Sequence, residues 1–301
     1  MKPITSFSEL EARFAQIAPD RRIAVVCPSD SHTIEVVETC LKKYQAKFIL
    51  CCSEPSAWAD SLAENSNVTV IYSPTADDAS KAAVNEVRND RADVVMKGAV
   101  NTDNLLRAVL DKQEGLLDPG RTLTHLTAAE TPNYHKLIFF CDAAVIPQPN
   151  AEQFEAMADY GIKVLRNLNI TSPNTALIHF SEKVNEKFAH TVHYQNLMQL
   201  NAEGRFGNGS TIEGPMDVKT ACDRHSAEVK KIDSKVAGNA DLLIFPNLVA
   251  ANTFYKTISL FGKAIMAGII CGANAPIVIP SRADSAESKF YSLALACTAL
   301  S

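Results

Sequence analysis

The sequence predicts an α/β protein of two lobes, each a mainly parallel sheet with helices on both faces. Three observations lead there. Short β-branched runs alternate with longer stretches of helical period along the 301 residues. Those runs are apolar almost throughout, as strands covered on both faces are. Hydrophobic residues make up 47% of the chain and charged residues 21%, and at this length a single core begins to split in two.

In chain order the expected strands are 22–27 (RIAVVC), 47–52 (KFILCC), 68–72 (VTVIY), 93–96 (DVVM), 136–141 (KLIFFC), 175–180 (TALIHF), 241–246 (DLLIFP) and 276–280 (PIVIP). Between them lie amphipathic stretches such as 31–44 and 76–89, which read as helices. The alternation weakens over 115–136, where two prolines and two glycines interrupt it. A domain boundary is expected there, with the centre of the segment an extended crossing stretch. A second boundary is expected near 271–275 (CGANA). The first domain is then 1–133 plus 276–301 and the second 134–275, the last strand and helix returning to the first lobe.

Composition excludes several classes. A net charge of −5 lacks the basic footprint of nonspecific nucleic-acid binding, although a few focused cations suffice for a small anion. No run of about 18 apolar residues predicts a membrane helix, and the first residues lack the apolar core of a secretory signal. The eight cysteines have neither zinc-site nor CxxC spacing and are expected to be reduced core residues of a cytoplasmic protein. His190 and His193 share a helix face, but further ligands for a metal are not evident nearby, so no metal site is expected.

In open α/β sheets ligands bind beyond the carboxyl ends of strands, where the next helix offers unpaired N–H groups. Four such turns stand out. In 94–110 (VVMKGAVNTDNLLRAVL), Lys97 and Gly98 form a turn before a helix capped by Asn101 or Thr102, a combination suited to phosphate or to an ordinary turn with a solvated lysine. The helix's apolar stripe leaves Arg107 off its buried face, a further candidate cation. In 210–223 (STIEGPMDVKTACD), Glu213-Gly214-Pro215 reads as a strand-end turn, structural on its chemistry alone. In 241–258, Asn247 ends a strand and Asn252 and Lys256 share one helix face, pointing to a ligand or to solvent. In 275–290 (APIVIPSRADSAESKF), a buried strand runs into Ser281 and Arg282. Arginine is shaped for bidentate phosphate binding, while a structural salt bridge to Asp284 is the alternative. Ser285 is placed to cap the last helix, whose Phe290, Leu293, Ala294 and Cys297 fall at core spacing.

Together and in order, MKGAVNTDNLLRAVLDK, IEGPMDVKTACD, KVAGNADLLIFPNLVAANTFYKTI and APIVIPSRADSAESKFYSLALA resemble the phosphate acetyl/butyryltransferase family. The likeness spans nearly all of the chain beyond about residue 20, and its detail leans toward the butyryl branch. The resemblance implies an isocitrate/isopropylmalate-dehydrogenase-like fold, with an active-site cleft between two domains. It implies reversible transfer of a short acyl group between coenzyme A and inorganic phosphate, with coenzyme A as substrate, no permanently bound cofactor and no obligatory metal. A homo-oligomer is implied, with acyl-CoA, acyl phosphate and phosphate as partners.

On this reading Arg282 holds the phosphoryl group, helped by Lys97, Gly98 and the helix start at Thr102. Ser281 donates to the oxyanion or the phosphate. Asn247, Asn252 and Lys256, with Arg107, are candidate phosphate or coenzyme A contacts. Acetyl-type members carry an aspartate where this sequence has Ser288, which leaves Glu287, Asp284 or no dedicated base to handle the thiol proton. Two other classes remain: an NAD-dependent decarboxylating dehydrogenase of the same fold, against which stands the lack of clustered aspartates, and a non-catalytic phosphate- or coenzyme A-binding module.

Overall fold

The computed structural model describes residues 2–281 and 284–300. It divides into two compact units: an outer unit of Phe7–Leu123 with the chain from Ala267 onward, and a central unit of Thr124–Met266 with the first residues up to Ser6. The outer unit opens with α1 (Phe7–Ile17) and continues through β1 (Arg22–Val26), α2 (Ser31–Thr39), β2 (Lys47–Cys52), α3 (Ala57–Ser61), β3 (Val68–Tyr72), α4 (Ala76–Arg88), β4 (Val94–Lys97) and α5 (Thr102–Val109). The central unit holds β5 (Thr124–Glu130), β6 (Ile138–Cys141), α6 (Ala151–Asn167), β7 (Asn174–Ile178), α7 (Ala189–Ala202), β8 (Thr211–Met216), α8 (Val218–Cys222), α9 (Arg224–Val229), β9 (Leu242–Ile244) and α10 (Leu248–Leu260). The chain then passes through β10 (Ile265–Cys271) back to the outer unit for β11 (Ile277–Val278) and α11 (Ala286–Thr298).

In the outer unit the strand order is β3-β2-β1-β4-β11-β10. All neighbours are parallel except β10 and β11. In the central unit the order is β5-β6-β9-β7-β8, with only β5 and β6 antiparallel. The expected α/β class is therefore what the chain forms. Helix starts follow their caps: Thr75 accepts the Asp78 N–H ahead of α4, and Asn150 with Gln153 makes a capping box on α6. The central core gathers Phe140, Leu243, Phe245 and Met266. In the outer unit Phe7 of α1 stacks on Tyr291 of α11, ring centroids 4.4 Å apart.

The unit boundaries fall at 123/124 and 266/267 rather than at 133/134 and 275/276, and the first residues go with the central unit. Thr124–Glu130, expected as a crossing stretch, is a strand whose Thr127 pairs with Phe140. Ile270 pairs with Ile277, drawing the end of β10 into the outer unit. The Ile4 N–H donates to the Leu168 carbonyl, and the Leu137 N–H to that of Thr5. Glu213-Gly214-Pro215 lies inside β8 and is no turn. That strand is at an edge of its sheet, where a proline's missing N–H is tolerated. Among the described residues no helix is long and apolar enough to cross a membrane.

Candidate active site

The outer sheet reverses its winding between β1 and β4, since β2 and β3 lie on one side of β1 and β4 and β11 on the other. Such a switch point opens a crevice at the carboxyl ends of the strands. Val26 is in register with Lys97 and Met96 with Val278. The turns after β1, β4 and β11 therefore leave the same edge side by side, and two of them carry candidate residues.

After β4, Lys97 is not the solvated side chain of an ordinary turn. It is 4% exposed, and its ammonium donates to the carbonyls of Gly98 at 3.1 Å and Val100 at 3.0 Å. A positive charge thus lies beneath the start of α5. Gly98 is held against the β1 turn, its N–H donating to the Val26 carbonyl and that of Ala99 to the Cys27 carbonyl. The first amides of a helix have no intrahelical acceptor. Asn101, at the N-cap of α5, gives them no side-chain hydrogen bond, and Thr102 follows it, exposed. The neighbouring helices differ. Asp30 accepts the Thr33 N–H at the start of α2, and Ser285 accepts the Ser288 N–H at the start of α11, as its position suggested.

Arg107 lies elsewhere. It is in the last turn of α5, about 8 Å along the axis from Thr102 at 1.5 Å per residue, and reaches Asp77 of α4 at 3.4 Å with a side chain 70% exposed. Its position does not join it to the turn.

After β11, Ser281 is exposed and its N–H donates to the Asp284 carboxylate at 2.8 Å, while the Asp284 N–H donates back to the Ser281 carbonyl at 3.1 Å. Asp284 is thus tied to Ser281 through both its carboxylate and its backbone N–H. Arg282 lies outside the described residues. Glu287, exposed in the first turn of α11, makes no hydrogen bond or ion pair among the described residues.

In the central unit, Asn247 spends its side-chain oxygen on the Ala250 N–H, capping α10. Asn252 donates to the Ala143 carbonyl at 3.0 Å. Lys256 is exposed, its ammonium 4.7 Å from the centroid of the Tyr255 ring. The segment after β8 is structural: Asp217 caps α8 and takes the ammonium of Lys230, which also donates to Glu182. His190 pairs with His179 at 3.0 Å and not with His193. Among the described residues no group of three or more His, Cys, Asp or Glu side chains is placed to hold a metal ion. The cysteines are free thiols, and burial pushes Cys51, Cys222 and Cys297 up to about 12.

Three residues at the outer edge escaped the sequence reading. Lys289 of α11 is 3% exposed and donates to the Asp30 carboxylate at 2.6 Å and the Thr33 hydroxyl at 3.1 Å. Burial would raise the Asp30 carboxyl, but hydrogen bonds from Lys289 and Thr33 outweigh it and hold it below the usual carboxylate range. His32 places Nδ1 2.9 Å from the Asp284 carbonyl oxygen. A signal for Lys289 existed: it lies one turn before Leu293, on the same helix face, and a charge on a buried face needs a partner.

Residues 30–297 match the model of the family described as "Phosphate acetyl/butaryl transferase". The chain is 35% identical over 286 residues to a probable phosphate butyryltransferase of Bacillus subtilis, covering 95% of each. It is 31% identical over 278 residues to a phosphate acetyltransferase of Thermotoga maritima, covering 91% of this chain and 94% of that one. A branched-chain phosphotransacylase from Enterococcus faecalis superposes with a TM-score of 0.82 at 24% identity, over 93% of this chain and 99% of that one; at that identity the likeness speaks for the fold. Fold and relatives define an α/β acyltransferase class. Within it, the chain belongs to the phosphate acetyl/butyryl transferase family.

Proposed function

We propose that the protein moves a short acyl group reversibly between coenzyme A and inorganic phosphate, with butyryl-type substrates favoured. The observation that supports this most directly is the outer-sheet edge. There the chain running from β11 toward Ser281 leaves the sheet beside β4, whose following helix start is not capped by its N-cap side chain and has a buried lysine under it. Family membership supports the same reaction.

In the forward direction the coenzyme A thiolate attacks the acyl carbon of an acyl phosphate, the C–O bond breaks and phosphate leaves. In reverse a phosphate oxygen attacks the thioester and the thiolate leaves. A free thiol with a pKa of about 8.5 is only a few per cent ionised at neutral pH, and a positioned base contributes about 10²–10⁴-fold. Asp284 is engaged with the Ser281 amide, so Glu287 is the proposed base. The α5 amides and Lys97 stabilise the phosphate, Arg282 binds it, and Ser281 donates to the oxyanion; one such donor is worth about 3–4 kcal/mol. Lys256 is proposed to bind an anionic group of the substrate. Arg282→Ala is expected to cut turnover at least about 100-fold with an unchanged melting temperature; near-normal rates in both directions would remove it from the mechanism.

The protein is further proposed to be cytoplasmic and homo-oligomeric. The oligomer is supported by α10, where Val249 is 72%, Leu260 73% and the following Phe261 79% exposed.

A further inference from the structure

We propose that His32 is a positioning residue for Asp284 and Ser281, anchored by the part-buried Lys289–Asp30 ion pair. This rests on the acyl-transfer reading of those two residues. A fully buried ammonium is costly unless paired, and Lys289 has its pair on another element. One Asp30 oxygen receives both the Lys289 ammonium and the Thr33 N–H, at 2.6 and 3.0 Å. The pair therefore fastens the first turns of α11 to the start of α2. The other Asp30 oxygen is buried with no hydrogen-bond partner among the described residues, so the carboxylate depends on this one set of donors.

His32 is the second residue of α2, so the clamp holds the backbone that carries its ring. The Asp284 carbonyl can only accept, which makes Nδ1 the protonated nitrogen of the 2.9 Å contact. Asp284 in turn takes the Ser281 N–H on its carboxylate. Lys289 and Asp30 thus hold the start of α2, which carries His32, and contacts run on from His32 to Asp284 and from Asp284 to the serine amide. The His32 bond is half-exposed, and a single hydrogen bond is worth about 1 kcal/mol to the fold. Misplacing a reacting group by about 1 Å can cost about 100-fold in rate. Loss of this bond should therefore show in turnover far more than in stability.

The test uses the full chain with inorganic phosphate and the best substrate among acetyl-, propionyl-, butyryl- and isobutyryl-CoA, following release of free thiol. His32→Leu is expected to lower kcat about 10- to 100-fold. Its KM for acyl-CoA should change little, and its melting temperature should stay within about 4 °C. His32→Asn, whose amide nitrogen takes the place of Nδ1, is expected to recover most of the rate. A His32→Leu rate within about two-fold of wild type, or equal losses in Leu and Asn variants, overturns the positioning role. Ser281→Ala, run alongside, separates the failures. If Ser281→Ala is crippled while His32→Leu is not, only this inference falls; if wild type releases no thiol, both it and the acyl-transfer reading fall.

Discussion

At Gly98 an added Cβ would lie 2.5 Å from the Cys27 carbonyl oxygen and 2.8 Å from that of Val26. Both contacts are with backbone at the end of β1, so the clash cannot be relieved by turning a side chain. Gly98→Ala is expected to destabilise the protein by about 1–3 kcal/mol, measurable by urea denaturation, and to shift the turn before α5. A variant as stable as wild type would mean that the two turns can separate. Sequence marked this glycine as part of a flexible turn; its actual constraint, a neighbouring strand end, comes from the pairing of β1 with β4. The carboxylates divide in a similar way. Sequence placed Asp284 and Glu287 together as candidate bases. Only the hydrogen bond from Ser281 distinguishes an engaged acid from an exposed one. Glu287→Gln should therefore lower kcat and leave a residual rate that rises more steeply toward alkaline pH, as the thiol must then ionise unaided, whereas Asp284→Asn should mainly weaken the hold on the Ser281 amide. If Glu287→Gln changes rate by less than about three-fold, far short of a general base's contribution, the reaction runs on positioning and cations alone.

Among elements, helix α7 carries a titration that reaches stability. Burial, followed by the neighbouring His179 and His193, pushes His190 down to about 4. In the unfolded chain a histidine titrates near about 6.5. Between those values the unfolded state binds the extra proton, so stability falls as pH drops from about 6.5 to about 4. Asp30, lowered in the folded state, acts only below about 4, where carboxylates titrate. His190→Gln keeps an amide nitrogen facing His179 without the titration. Its melting temperature should decline less than wild type's between pH 7 and pH 5; an identical decline would place the sensitivity elsewhere. Helix α11 depends on Lys289 in a related way. Lys289→Met leaves the half-buried Asp30 carboxylate with the Thr33 N–H alone and should cost about 1–3 kcal/mol, part of which Asp30→Asn restores in the double variant.

Strands with β-branched apolar runs were legible element by element, because their period is local. Three strands were not. β5 holds one large apolar residue, Leu126, among Thr, Ala, His and Glu; β8 contains Gly-Pro; and Ala267-Gly268 interrupts the apolar run of β10. Each is held extended by a paired strand, β6 for β5, β7 for β8 and β11 for β10.

For the whole molecule, the α/β class and family could be read from the ordered turns. The unit boundaries could not, because they follow from how the unforeseen strands β5 and β10 pair. Lys289 and His32 stayed hidden because their partners are on other elements. The proposed oligomer can be tested at the exposed end of α10: Leu260→Glu with Phe261→Glu is expected to reduce the mass seen by light scattering, and an unchanged mass would contradict a contact through that surface. Acyl preference is a finer matter. One methylene shifts selectivity by only about 1–3 kcal/mol, so the butyryl preference requires a rate panel across chain lengths. The most direct test of the reaction itself is thiol release from short-chain acyl-CoA with and without inorganic phosphate. The acyl-transfer account predicts saturable release that requires phosphate, and that runs backward when acyl phosphate and coenzyme A are supplied. Release independent of phosphate, or none with any acyl group from acetyl to isobutyryl, would contradict it.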